Sequence, residues 1–330
     1  MSKPSIIFRA DGNNNTGLGH VYRCLALAEM LGNEFSCSFA IFSPEEETIT
    51  QINTICDEIV LLQDFDIHAF VNGLMGNEIV VLDGYHFNTD DQIVIKSKGC
   101  FLVCIDDLHN QHFVADVVIN HSLTVSRSDY SVERNTVIYF GVDYILLRKE
   151  FLDAAKGYIE KVTFRNPFVC FGGADSNNFS FKFSSYLKEL ENIDNIHVLI
   201  GSAFNGSIEQ IKSLELNKVH VYQNIEAAEI IAIMRKSDFA IVSASSIAYE
   251  CASVGLPILV GYYLESQIEF YNALLSQKNV WGLGEIQTLK FDELSALIFK
   301  LPLLYQYYKG FIDGNQRERY LKLFHELLSL

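Results

Sequence analysis

Ile6-Ile-Phe-Arg9-Ala-Asp11-Gly12-Asn13-Asn-Asn15-Thr-Gly17-Leu-Gly19-His20-Val-Tyr-Arg23 joins a short apolar run to the amphipathic run Cys24 to Leu31 through a loop of Gly, Asn and Thr. Apolar residues without period, then turn-forming residues, then helical spacing read as strand, loop and helix. Gly12, Gly17 and Gly19 allow positive φ or close backbone approach, and His20 falls where the new helix has unpaired N–H groups. The sequence therefore sets a titratable imidazole beside a natural anion site.

The same alternation continues outward. Cys37 to Phe42, Glu58 to Leu62, Ile79 to Leu82, Phe101 to Ile105 and Val117 to Ile119 read as strands, with helical spacing between most of them, as in Gln92 to Lys98. After Phe140-Gly-Val-Asp-Tyr144 and a helix over Arg148 to Lys156 comes the polar stretch Tyr158 to Asn166, a candidate linker. A second series follows: Phe168 to Phe171, His197 to Ile200, Val219 to Tyr222, Phe239 to Val242 and Ile258 to Val260, separated by helices expected over 179–190, 225–236, 246–254 and 268–277. Strand and helix alternating this way predict parallel sheets covered on both faces. The expected fold is α/β, two Rossmann-like doubly wound domains facing a cleft, with residues 1–157 and 158–330 as the two domains. Leu303 to Leu330 reads as a closing helix that packs back on the first domain.

Composition bounds the function. A chain of 330 residues exceeds what one core usually covers. A formal charge of -16 repels nucleic acid and anionic membrane. No stretch approaches about 18 apolar residues, so no membrane span is expected. The seven cysteines are scattered without a Cys-x-x-Cys pair, which points to a reducing, cytoplasmic setting. Oligomeric state is not legible.

Several loops carry candidate chemistry. His20 reads as a proton acceptor facing a cleft or as an ordinary helix-start histidine; Arg9 and Asp11 orient it, neutralise an anion, or form a salt bridge at the loop base. Arg23 lies one turn on, on the same helix face. Val81-Leu-Asp83-Gly-Tyr85-His86 and Cys104-Ile-Asp106-Asp107 end strands of the first domain, where Asp and Tyr can hold hydroxyl or acetamido groups or orient a water. Asn120 and Gln267 are polar groups at further strand ends. Gly172 and Gly173 open the second domain, followed by Asp175 as an N-cap or a sugar contact. Ser243-Ala-Ser245-Ser246 begins a helix whose hydroxyls and free N–H groups suit a diphosphate, with Glu250 one turn in for ribose hydroxyls or simply solvated. A metal site from Asp106, Asp107, His109 and His112 is the weaker reading of a polar loop. No dinucleotide fingerprint is present, because Gly17-Leu-Gly19-His-Val-Tyr22 lacks the third glycine; no Walker lysine and no Gly-x-Ser-x-Gly elbow occur. No cofactor and no metal are expected.

Taken together, Arg9-x-Asp11, Gly17-x-Gly-His20-x-x-Arg23, Asp83-x-Tyr85, Asp106-Asp107, Gly141 to Tyr144 with Leu147-Arg148, Gly172-Gly-x-Asp175 and Ser243-x-Ser-Ser with Glu250 resemble the UDP-2,4-diacetamido-2,4,6-trideoxy-β-L-altropyranose hydrolases of pseudaminic acid biosynthesis. That family is similar in architecture to the B-type glycosyltransferases, especially the enzyme that adds GlcNAc to lipid I. The resemblance implies that His20 is the catalytic base with Tyr85 near the sugar and the attacking water, that Gly173, Ser245, Ser246 and Glu250 hold UDP, and that UDP leaves with inversion at the anomeric carbon. Ser266-Gln267 stands where the family commonly has Asn-Gln, so only Gln267 transfers. The other readings kept open are an inverting UDP-sugar glycosyltransferase and a non-catalytic nucleotide-sugar binding protein.

Overall fold

The computed structural model describes residues 3–13, 17–157, 160–161, 163–201, 204, 206–214, 217–306 and 310–329. Asn14 and Asn15 of the first loop, and Tyr158, Ile159 and Val162 of the expected linker, lie outside the described residues. The chain forms two compact units, Met1–Lys149 with Asn315–Leu330, and Glu150–Gly314.

The first unit runs β1 (Ser5–Ala10), α1 (Gly19–Leu31), β2 (Ser36–Phe42), α2 (Glu46–Ile55), β3 (Glu58–Leu62), α3 (Ile67–Asn72), β4 (Ile79–Asp83), α4 (Thr89–Ser97), β5 (Phe101–Ile105), β6 (His112–Phe113), β7 (Val117–Asn120), β8 (Ser131–Val132) and β9 (Val137–Phe140). Seven strands form a parallel sheet in the order β3-β2-β1-β4-β5-β7-β9, and β6 pairs with β8 apart from it. The second unit runs α5 (Lys149–Ala155), β10 (Pro167–Cys170), α6 (Phe179–Lys188), β11 (Ile196–Ile200), α7 (Ile208–Lys212), β12 (Val219–Gln223), α8 (Ala227–Lys236), β13 (Phe239–Ser243), α9 (Ser246–Ser253), β14 (Ile258–Tyr262), α10 (Ile268–Leu274), β15 (Val280–Glu285) and α11 (Phe291–Leu304). Its six-stranded parallel sheet has the order β12-β11-β10-β13-β14-β15.

Every residue of β4, β11 and β13 is buried, as the continuous apolar runs of a sheet covered on both faces require. In the first unit Val80, Leu82, Leu102, Cys104 and Val118 form one core with Phe70 and Val71 of α3 and Ile95 of α4. In the second, Val169, Val198, Ile200 and Ile241 pack with Phe179, Phe183 and Leu187 of α6 and Leu294, Ile298 and Leu301 of α11. All seven cysteines are buried and unbridged.

The closing stretch departs from the single helix expected. Leu303 and Leu304 end α11, just past Pro302, and Gly310 and Gly314, at φ +96° and +76°, turn the chain in a conformation that excludes a helix. A new helix, α12 (Gln316–Leu327), then packs within the first unit. Tyr320, Leu323, Phe324 and Leu327 are buried there, the Tyr320 hydroxyl donates to the Tyr144 carbonyl at 2.6 Å, and Arg317 Nε donates to the Met30 carbonyl at 3.1 Å.

Each sheet starts at an inner strand, grows to one side, and then crosses over to grow on the other. The reversal falls between β1 and β4 in the first unit and between β10 and β13 in the second. Open parallel sheets bind ligands beyond the carboxyl ends of the strands at that reversal. The loops that matter are therefore those leaving β1 and β4, and those leaving β10 and β13.

Candidate active site

In the first unit the loop after β1 delivers His20 as the second residue of α1, and the end of β4 delivers Asp83. His20 Nδ1 lies 2.8 Å from Asp83 Oδ1. Arg23, one turn along α1, donates from Nε to Asp83 Oδ2 at 2.5 Å and from Nη2 to Asp83 Oδ1 at 2.6 Å. Its third nitrogen, Nη1, donates to Asp107 Oδ2 at 2.9 Å. Arg23 Nη2 is also 3.1 Å from His20 Nδ1, and a guanidinium can only donate. The Asp83 carboxylate can only accept, so its 2.8 Å contact with His20 sets the imidazole proton on Nδ1, and the 3.1 Å approach of Arg23 Nη2 to that nitrogen is then a close contact without a hydrogen bond.

Asp83 is wholly buried and the Arg23 side chain is only 11 % exposed. Burial pushes the Asp83 carboxyl up, but the adjacent Arg23 guanidinium and the bond from His20 outweigh it and hold it below the usual carboxylate range. Burial likewise opposes the Arg23 charge, which Asp83 and then Asp107 restore and strengthen. Asp83 cannot meet a ligand as expected of a strand-end sugar contact; its work is to fix the tautomer and angle of His20. The His20 side chain keeps 18 % exposure.

Tyr85 stands over this pair. Its ring meets that of His20 edge-on with centroids 4.5 Å apart, and its hydroxyl donates to Asp107 Oδ2 at 3.0 Å. Burial, then the Asp107 charge, push the phenol up to about 12, so it stays a neutral donor. At 62 % exposure Tyr85 is the most open group of the cluster. A small polar recess beside it is lined by Arg23, Asp106, Asp107, Asn110 and Gln111. Sequence reading missed His121, at the end of β7, whose imidazole is driven down to about 4 by burial and by the Arg23 charge.

Of the glycines, Gly17 has φ +91°, and a Cβ on Gly12 would stand 2.7 Å from the Gly17 carbonyl; Gly19 meets neither need. Arg9 is fully buried, donates to Asp11 at 2.6 Å, and lies 5.0 Å from the Phe87 ring centre. It forms the salt bridge at the loop base. Asn120 is also buried, donating to the Tyr130 hydroxyl at 2.8 Å. Asp106 accepts from Tyr130 and from the His109 amide, while His112 faces Ser131 and Glu133. Among the described residues no cluster of three His, Cys, Asp or Glu is arranged to hold a metal ion.

In the second unit, the loop after β10 carries Gly172 at φ +87°. A Cβ on Gly172 or Gly173 would meet nothing within 4 Å, while one on Gly201 would strike the Gly173 backbone at 2.3 Å. The two loops thus touch backbone to backbone and leave the outer side of Gly172 and Gly173 open. Asp175 is 3 % exposed and accepts from the Phe179 and Ser180 amides at 2.8 and 2.9 Å. Its carboxylate takes the first two amides of α6, while Asn178 holds the N-cap position itself.

The loop after β13 differs. Ser245 caps α9 without a side-chain bond to it, and α9 has no acidic residue in its first turn. The Ser245 hydroxyl lies 3.1 Å from that of Ser243, and Ser246 is exposed. Glu250 is half-buried one turn on. Gln267 accepts from the Tyr263 and Leu264 amides at 3.0 and 3.4 Å, closing the turn after β14.

No protein-family model matches the chain. It is 28% identical over 250 residues to the UDP-2,4-diacetamido-2,4,6-trideoxy-beta-L-altropyranose hydrolase of Campylobacter jejuni, covering 74% of this chain and 86% of that one. The chain is a relative of proteins that carry this hydrolase name. A Helicobacter pylori protein named as pseudaminic acid cytidylyltransferase and the same hydrolase is 24% identical, over 94% of this chain but only 54% of its own length. Uncharacterized protein MJ1062 of Methanocaldococcus jannaschii is 27% identical over 81% of this chain, which spans 57% of that protein. Among solved structures, Acinetobacter baumannii MurG superposes with a TM-score of 0.67 over 98% of this chain and 99% of its own at 13% identity. A putative UDP-N-acetylglucosamine 2-epimerase from Listeria monocytogenes gives 0.56 over 98% and 96% at 10% identity. The fold is the two-domain α/β architecture of B-type glycosyltransferases and these epimerases. Among the described residues no helix is long and apolar enough to cross a membrane.

Proposed function

We propose that the protein hydrolyses a UDP-linked diacetamido-trideoxy sugar to UDP and the free sugar. The observation that carries this reading is the His20–Asp83 pair locked by Arg23 at the strand reversal of the first unit, with the His20 side chain still partly exposed. His20 Nε2 takes a proton from a water as its oxygen bonds to the anomeric carbon. The C–O bond to the diphosphate breaks and its electron pair leaves with UDP. Attack opposite the leaving group inverts the anomeric centre. Asp83 stabilises the imidazolium formed, as an orienting carboxylate does in other His-based catalysts. Tyr85, a neutral donor beside His20, holds the water or a sugar oxygen.

The second unit takes UDP in this reading. Gly172 and Gly173 leave the backbone open to it, Ser245, Ser246 and the first N–H groups of α9 meet the diphosphate, and Glu250 accepts from ribose hydroxyls. A diphosphate is a good leaving group, so no general acid is required. Sequence relatives that carry the hydrolase name support water as the acceptor. The likeness of the whole chain to MurG favours a second reading, an inverting transferase using the same two constellations. Incubation with UDP-sugars in water alone, following UDP and free sugar by NMR, separates them: release without an added acceptor supports hydrolysis, and release only with an acceptor supports transfer.

A further inference from the structure

His86 follows Tyr85 directly, yet the two side chains part. Tyr85 turns to His20 and Asp107, while His86 turns toward the loop after β1, its Nε2 3.3 Å from Asp11 Oδ2. The β1 and β4 loops thus exchange imidazoles and carboxylates: His20 of one meets Asp83 of the other, and His86 of the second meets Asp11 of the first. Gly84 makes the fork possible, at φ +156°, since a Cβ there would stand 2.8 Å from the His86 ring. Burial opposes the Asp11 charge, but the bonds from His86 and Arg9 win and bring its carboxyl down to about 2.

The His86 ring belongs to a ladder of aromatic side chains. Phe87 lies 3.9 Å from it on the inner side, over the buried Arg9. On the outer side Phe65 lies 4.6 Å away, and Phe42, at the end of β2, meets Phe65 edge-on at 5.8 Å. Exposure rises from Phe87, 5 %, through the His86 side chain, 31 %, to Phe65, 47 %, and falls again at the half-buried Phe42. A ladder held at both ends and exposed at Phe65, with His86 one residue from Tyr85 at the carboxyl ends of the strands, is a preformed shelf.

We propose that Phe65 and His86 form a subsite that stacks on the apolar C–H face of the sugar ring while His20 addresses its anomeric carbon. A deoxygenated sugar with a methyl in place of a hydroxymethyl group offers more apolar surface to such rings than an ordinary hexose, and Phe87 packed behind His86 holds that ring in place. The assignment rests on the UDP-sugar reading above and deepens it by naming what selects the sugar.

Calorimetric titration tests it in the full chain carrying His20→Asn, which removes turnover, using UDP and the UDP-diacetamido-trideoxy sugar as probes. The sugar nucleotide binds more tightly than UDP in this parent. Phe65→Ala and His86→Ala each weaken it roughly 3- to 10-fold, the size of one lost ring contact, and leave UDP affinity alone; Phe65→Trp restores binding. Saturation-transfer NMR shows the ring and methyl protons of the sugar saturated in the parent and not in Phe65→Ala. Unchanged sugar-nucleotide affinity in both alanine variants, or equal affinity of the parent for UDP and the sugar nucleotide, overturns the subsite. If the wild-type chain binds the sugar nucleotide through this shelf and releases no UDP from it, the hydrolase reading fails and the subsite stands.

Discussion

Replacing Asp83 by Asn probes stability and chemistry in one change. The side chain keeps its shape and loses its charge, in a position with no exposure. It leaves Arg23, 11 % exposed, with Asp107 as its remaining anion, and removing one partner of a buried ion pair costs about 3–5 kcal/mol. For a unit of this size that is a fall of roughly 10 °C in the unfolding midpoint of the first unit. The amide also cannot both accept from Arg23 at two oxygens and hold the Nδ1 proton of His20, so the tautomer that exposes an acceptor on Nε2 is lost. Turnover of the UDP-sugar therefore drops, by at most the 10²- to 10⁴-fold assigned to the general base that Asp83 orients. Differential scanning calorimetry reads the first effect and UDP release, assayed below the midpoint, reads the second. An Asp83→Asn protein that unfolds within about 1 kcal/mol of wild type and turns over normally refutes the reasoning.

Three further outcomes follow from single contacts. His20→Asn leaves UDP affinity within about twofold and lowers turnover about 10²- to 10⁴-fold, checked by titration and UDP release. Tyr320→Phe removes the hydroxyl donated to the Tyr144 carbonyl and destabilises the first unit by about 1–2 kcal/mol in denaturant unfolding. Asp11 has its folded pKa depressed from 3.8 to about 2, so its charge stabilises the fold at pH above its unfolded value. That contribution, up to about 2.5 kcal/mol, is lost as pH falls from about 4 toward 2; the stability gap between wild type and Asp11→Asn should close over that interval and stay constant above it.

Strand-scale patterns were legible because they are local. The apolar runs over β1, β2, β5, β7, β10 and β13 predict buried parallel strands, and the Gly-x-Gly-His step predicts the start of α1 within a residue. The closing helix was misjudged for an equally local reason, since Gly310 and Gly314 break a pattern whose apolar spacing runs on through them. What the sequence could not display was pairing across distance. His20 and Asp83 are separated by 63 residues, and only the reversal of strand order between β1 and β4 makes them neighbours. Asp83 and Asn120 read as ligand contacts from their strand-end positions, but a polar residue at a strand end can point inward as readily as outward; Arg9 and Asp175 each carry a second reading, as a salt bridge and as a helix cap, that matches their contacts. The Asp11–His86 exchange and the aromatic ladder follow from the same reversal.

The central claim is that His20, fixed by Asp83, activates water against the anomeric carbon of a UDP-sugar. Incubating the purified wild-type chain with UDP-2,4-diacetamido-2,4,6-trideoxy-β-L-altropyranose in water enriched in oxygen-18, without acceptor, measures it directly. The account predicts free UDP with no label, and a free sugar that carries the label at its anomeric oxygen and first appears in NMR as the inverted anomer. Unlabelled sugar, label in UDP, or no release of UDP contradicts it.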